Sequence, residues 1–219
     1  KTSGWDEVIP FSAYKDGKML FLVSEPGIYG VINNKKSFTD IGEHWAADSI
    51  QFITSRDLYS GVSNDKFDPH GGMTRAMFAT VLSKLDGAEF PRNATPAFSD
   101  VNVTAWYANS IAWAAEKGII SGYGGGLFRP NDLITREQMA LMLNNYLEYK
   151  GISLKKEGVS TPFIDQDEVS LWAKDAVTNM KLYGLITGIG NNTYSPKATA
   201  NRAGTAQIFK NFVEAYISR

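Results

Sequence analysis

A helix-capping residue followed by arginine opens an apolar helical run three times, at Thr74-Arg75, Thr135-Arg136 and Asn201-Arg202, in steps of 61 and 66 residues. Around each arginine the same landmarks return in order. An aromatic-x-Asp pair comes first (Phe38/Asp40, Phe98/Asp100, Phe163/Asp165), then a tryptophan (Trp45, Trp106, Trp172). A glycine follows (Gly61, Gly122, Gly188), and then an aromatic-x-Pro pair (Phe67/Pro69, Phe128/Pro130, Tyr194/Pro196). Tryptophan, glycine, proline and arginine all keep the same two steps, which identifies one supersecondary unit present in triplicate.

Each unit reads as two helices. The first starts near the tryptophan, with apolar residues returning to one face at Trp45, Ile50, Ile53; Trp106, Ile111, Ala114; and Trp172, Val177, Met180. A glycine-bearing polar loop separates it from the second, which begins at the Thr or Asn cap. The second helix carries a broad apolar face: Met77, Phe78, Val81, Leu82 and Leu85; then Met139, Ala140, Met142, Leu143, Tyr146 and Leu147; then Ile208, Phe209, Phe212, Val213, Tyr216 and Ile217. One helical hairpin cannot bury such a face alone, so the units must cover one another, either stacked as a solenoid or closed around a threefold axis. Periodicity leaves both open. Gln138, three residues after Thr135, completes a capping-box pattern, so the second arginine helix is expected to be the best formed; Asn201 and Gly204 are expected to weaken the third.

The first 36 residues differ in texture. Val8 to Tyr14, Lys18 to Val23 and Ile28 to Ile32 read as short strands separated by Lys15-Asp16-Gly17 and Glu25-Pro26-Gly27, which either close an upstream domain or dock on the helical part. The expected division is therefore a β-rich segment at 1–36 and helical units at 37–90, 91–155 and 156–219. A formal net charge of −1 gives no broad basic surface for nucleic acid, and no apolar run approaches the ~20 residues of a membrane span. Cysteine is absent, which removes disulfides, thiol nucleophiles and thiolate metal sites together.

Phe-x-Asp-Val/Ile, Trp-Ala or Trp-Tyr-Ala, Gly-Ile/Leu, Phe-x-Pro and Thr-Arg-Ala/Glu, repeated three times over residues 38 to 217, resemble the S-layer homology (SLH) domain family. The resemblance implies a mainly α fold in which three helix-loop-helix repeats close into a pseudo-threefold spindle. It also implies a non-catalytic module that anchors exported bacterial proteins by binding secondary cell wall polysaccharide, often pyruvylated, in grooves between repeats, with the motif arginine at the site. The expected location is extracellular, at the bacterial cell wall or S-layer.

On that reading Arg75, Arg136 and Arg202 are the foremost ligand-binding candidates, with Thr74, Thr135 and Asn201 beside them. A guanidinium at a helix N-terminus whose amides are unpaired would attract a carboxylate without a basic surface. Their structural alternative is capping of neighbouring carbonyls or salt bridging. Trp45, Trp106 and Trp172 read first as core anchors and secondarily as sugar contacts. Asp40, Asp100 and Asp165 read as organisers of the opening turn, and Gly61, Gly122 and Gly188 as backbone requirements, both with groove contact as the secondary role.

An enzyme reading finds little. His44 and His70 both lie in the first unit, and the carboxylate pairs Asp65/Asp68 and Asp165/Asp167 have no copies elsewhere. The acidic loop at 64–68 is likewise uncopied, so no metal is expected, and Gly122-Tyr123-Gly124-Gly125-Gly126 lacks the Lys and Ser/Thr of a phosphate-binding loop. The expectation is thus a monomeric wall-polysaccharide binder without cofactor, with direct peptidoglycan binding or a protein-binding helical repeat as alternatives.

Overall fold

The computed structural model describes residues 8–23, 25–90 and 97–218, so the expected boundary between the first two units, at 90–91, adjoins a stretch outside the described residues. Short and long helices alternate: α1 (Ala47–Thr54), α2 (Arg75–Asp86), α3 (Ala108–Glu116), α4 (Arg136–Lys150), α5 (Lys174–Leu182) and α6 (Arg202–Ile217). Each unit contributes one of each kind, and the fold is mainly α.

The short helices begin two residues after the tryptophan, not at it. Ile50, Ile53, Ile111, Ala114, Val177 and Met180 are buried as their spacing predicts, while the tryptophans stay outside. The long helices start where the capping residues place them. Thr74 Oγ1 accepts the Met77 N–H, Thr135 Oγ1 accepts the Gln138 N–H within a complete capping box, and Asn201 Oδ1 accepts the Gly204 N–H at 2.8 Å. Gly87 and Gly151 end α2 and α4 in the left-handed region, where lack of a Cβ removes the steric cost. With Gly204 in its first turn and Asn201 as its cap, α6 is nonetheless the longest of the three at 16 residues. A Cβ on residue 204 would sit 3.1 Å from Asn201 Oδ1, so the glycine gives the cap room to close.

Packing between units follows a fixed rule. Each long helix lies against the short helix of the following unit, α2 on α3 and α4 on α5, and α6 returns to α1. The residues just before the capping positions meet in a ring of backbone hydrogen bonds. Met73 N–H donates to Ala200 O, Ala200 N–H to Ile134 O, and Ile134 N–H to Met73 O, each at 2.9 Å. Isolated β-bridges at Gly72–Asn201, Thr74–Leu133 and Thr135–Thr199 flank the ring. The three residues of the ring are themselves buried, and Phe78 lies tilted against Phe209, ring centroids 5.2 Å apart, while Tyr146 meets Phe212 edge-on.

The N-terminal segment forms one antiparallel hairpin, β1 (Ser12–Lys15) and β2 (Lys18–Phe21), with Asp16 and Gly17 at positive φ in its turn. The strand expected at 28–32 does not form; Ile28 and Val31 are exposed and find no pairing partner. β1 rests on α6, where Phe11 meets Phe212 and Tyr216 edge-on. Arg56, just past α1, donates through Nε and Nη2 to Ser12 O and through Nη1 to Phe52 O, with its guanidinium 3.5 Å from the Phe52 ring centroid. Burial pushes its pKa down to about 10.

Candidate functional site

Each motif arginine crosses to the next unit and holds two backbone carbonyls there. Arg75 donates through Nε to Phe128 O and through Nη2 to Ser121 O; Arg136 does the same to Tyr194 O and Thr187 O; Arg202 closes the cycle on Phe67 O and Ser60 O, at 2.8 Å each. Their guanidinium carbons lie 4.4 to 4.7 Å from aromatic centroids, Phe128 and Tyr123 for Arg75, Tyr194 for Arg136, and Tyr59 and Phe67 for Arg202. Arg75 and Arg202 are buried and Arg136 is half-buried. Desolvation draws the pKa of Arg75 and Arg136 downward, against the nearby tyrosines and aspartates. The carbonyl-capping role weighed from sequence is therefore present in all three units.

The helix N-termini are also engaged. Arg75 N–H donates to Asp132 O and Ala76 N–H to Pro130 O, with Arg136/Glu137 on Ala198/Pro196 and Arg202/Ala203 on Gly71/Pro69 in the same roles. The expectation of unpaired first-turn amides is corrected: the following unit's aromatic-x-Pro loop pairs the first two amides, and the Thr or Asn side chain takes the third. These contacts, with the arginine pair, fasten neighbouring units through main-chain atoms that no side-chain pattern reveals.

The expectation that the opening aspartates organise the entry turn by local hydrogen bonds is corrected: their partners lie in the loop before the long helix. Asp40 accepts the N–H groups of Phe67 and Asp68, Asp100 those of Phe128 and Arg129, and Asp165 those of Tyr194 and Ser195, at 2.6 to 2.9 Å. Residues 68, 129 and 195 all sit in the left-handed region, φ 59, 57 and 55°, so each carboxylate clamps a strained residue about 28 positions downstream. Burial alone would raise these carboxyls, but backbone amides and a nearby cation together outweigh it and hold each below its ordinary value. The glycines answer to close approach and not to positive φ. A Cβ on Gly61, Gly122 or Gly188 would lie 2.5, 2.4 or 2.6 Å from the carbonyl oxygen of Lys66, Leu127 or Thr193, where the loop folds back on itself.

The core-anchor reading of the tryptophans is corrected. Trp45, Trp106 and Trp172 are 65%, 65% and 53% exposed, because they precede the helical face and leave the buried places to Ala46, Ala108 and Ala173. Trp172 lines a cavity of about 350 Å³ with Arg75, Ser121, Gly122, Tyr123, Gln138 and Met142. Its wall thus joins the arginine of the first unit, the glycine loop and long helix of the second, and the tryptophan of the third. Thr74, Thr135 and Asn201 serve as caps.

Two sets of contacts at or beside this cavity wall escaped the sequence reading. Tyr123 receives a 2.7 Å hydrogen bond from Gln138 Nε2, and the Arg129 guanidinium lies 4.9 Å from the Tyr123 ring centroid, in addition to that of Arg75. Glu137, only 3% exposed, accepts the Ser170 N–H and hydroxyl and pairs with Lys197 Nζ at 2.6 Å, which holds the segment two residues before Trp172. The available signal was an acid in the first turn of α4 where the other units have Ala76 and Ala203.

Among the described residues no group of three or more His, Asp or Glu is placed to hold a metal, and no helix is long and apolar enough to cross a membrane. His44 and His70 meet edge-on with ring centroids 5.1 Å apart, and His44 Nδ1 accepts the Ala46 N–H.

Comparison with known proteins finds the same threefold repetition. The S-layer homology domain model matches residues 37–79, 97–140 and 162–203. The chain is 38% identical over 197 residues to Exoglucanase XynX of Acetivibrio thermocellus, covering 89% of this chain and 18% of that protein. It is 33% identical to the Amylopullulanase of Thermoanaerobacterium thermosulfurigenes, over 97% of this chain and 11% of the relative. An S-layer protein of Bacillus thuringiensis subsp. finitimus is 31% identical over 79% of this chain and 21% of its own length. The chain therefore spans about a fifth or less of these relatives' length. With three ordered matches over more than half its residues, it belongs to the S-layer homology domain family.

Proposed function

We propose that this chain is a non-catalytic anchor that holds a larger bacterial protein at the cell surface by binding anionic, pyruvylated secondary cell wall polysaccharide in grooves between repeats. The three units close around an approximate threefold axis; the cyclic Met73–Ile134–Ala200 hydrogen bonds and the return of α6 to α1 support that arrangement. The observation that carries the binding reading is the cavity between Arg75, Tyr123 and Trp172, about 350 Å³, which combines buried positive charge with two exposed aromatic rings. Such a cleft suits an acidic sugar: the ring faces stack on aromatic surface and the carboxylate meets guanidinium groups. The motif arginine, loop glycine and tryptophan recur in the other units, and several weak grooves on one body would raise retention on a repeating polymer. The isolated module is read as a monomer, since its units cover one another's apolar faces.

Sedimentation with purified cell walls tests this reading. The module should pellet with walls that retain their secondary polymer and stay in solution once that polymer is extracted. Equal sedimentation with the stripped walls would transfer the function to peptidoglycan, and no sedimentation with either would remove wall binding.

A further inference from the structure

At or beside the groove, two positions have a fixed main chain and side chains that differ between the units. The residue after the aromatic landmark is Asp68, Arg129 or Ser195; in each unit its N–H goes to the opening aspartate, so its backbone is held whatever its side chain. The residue after the loop glycine is Val62, Tyr123 or Ile189. Only the second unit joins a cation to an aromatic ring at these positions.

There the Tyr123 ring carries two guanidinium groups, with carbons 4.6 and 4.9 Å from its centroid. They are not equivalent. Arg75 is buried and committed to the carbonyls of Phe128 and Ser121, whereas the Arg129 side chain is 54% exposed. The acid nearest Arg129 is Asp132, at 3.9 Å, the outer limit of an ion pair; Asp100 is taken up by two backbone amides. Two like charges on one ring, with only a distant acid beside the outer one, favour an incoming anion over either charge alone. Gln138 fixes the Tyr123 hydroxyl, and the positions matching Gln138 are Met77 and Gly204, which offer no such donor. Trp172, held by the Glu137–Ser170 contact, supplies the second ring.

We infer that Arg129 and Tyr123 are the specificity-determining residues of the chain's principal groove, with Arg129 receiving the carboxylate of an acidic saccharide whose ring lies against Tyr123 and Trp172. Arg75 shapes the floor and adds its field, and its main task is to join units. This assignment rests on the wall-polysaccharide reading above and says which groove and which cation carry it.

The test is calorimetric titration of purified secondary cell wall polymer, intact and with its pyruvyl ketals removed, into wild type, Arg129→Ser, Arg129→Lys and Tyr123→Val. Serine and valine are the residues that the third and first units carry at these positions, and thermal melts confirm that each variant folds. The expected result is a loss of affinity of roughly tenfold or more for Arg129→Ser, with discrimination between intact and stripped polymer collapsing, partial retention by Arg129→Lys, and a comparable loss for Tyr123→Val. Wild-type affinity in folded Arg129→Ser and Tyr123→Val overturns the assignment while leaving wall binding intact; failure of the wild type to bind the polymer overturns both.

Discussion

Arg202→Ala probes the connection between the ends of the repeat array. Arg202 lies in the third unit and donates to Phe67 O and Ser60 O in the first, 135 and 142 residues away, while its guanidinium lies over Tyr59 and Phe67. Truncation strands two carbonyls, each a loss of about 1 to 3 kcal/mol where water cannot reach, and removes a cation–π contact of about 1 kcal/mol or more. Relief from holding a charge at 4% exposure offsets part of this, because desolvation of an ion is unfavourable. The expected destabilisation is about 3 to 5 kcal/mol, which in a chain of this size lowers Tm by roughly 6 to 20 °C. Arg202→Lys should recover part of the loss, since one ammonium cannot span both carbonyls with the geometry of the fork. Urea unfolding followed by circular dichroism measures the difference, with the m-value checking that the transition stays cooperative. A loss below about 1 kcal/mol for Arg202→Ala would refute the view that the motif arginine is a structural tie, since surface substitutions fall in that range.

The opening aspartates make stability acid-sensitive. Their carboxyls are held below the ordinary 3.8, so the stabilisation they provide is complete above that pH and is lost as pH falls through the folded values. Melting temperature should therefore drop steeply below about pH 4, and Asp100→Asn should destabilise the fold at pH 7 by about 2 kcal/mol while flattening that drop. An Asp100→Asn variant with the wild-type profile would contradict the clamp. Gly122→Ala brings a Cβ to 2.4 Å from Leu127 O, a backbone atom that cannot swing aside, and should cost about 2 to 3 kcal/mol in urea unfolding. Gly42→Ala, where a Cβ meets nothing within 4 Å, is the matched control and should be near neutral.

The repeat register made most of the helical architecture legible. Spacing alone placed the buried faces of all six helices, and the capping residues located the starts of α2, α4 and α6. The tryptophans were misjudged because a helical period can be extended one step too far: Trp45 and Ile50 share a spacing, but the chain has not yet entered the helix at Trp45. The long-range partners of Arg75 and Asp100 are backbone atoms, which leave no trace in side-chain patterns. Arg129 was invisible for the opposite reason. It breaks the repeat, and a search for what recurs passes over the residue that makes one copy different. The hairpin's docking on α6 depends on Phe11 and Arg56, neither of which belongs to a repeated landmark.

The central claim is that these grooves recognise a carboxylate-bearing wall glycan. Calorimetric titration of the wild-type module with purified secondary cell wall polymer, before and after mild-acid removal of the pyruvyl ketals, tests it most directly. The account predicts saturable binding to the intact polymer that weakens as salt rises and is lost when the carboxylates are removed. Equal affinity for both forms, or no heat with either, would contradict it.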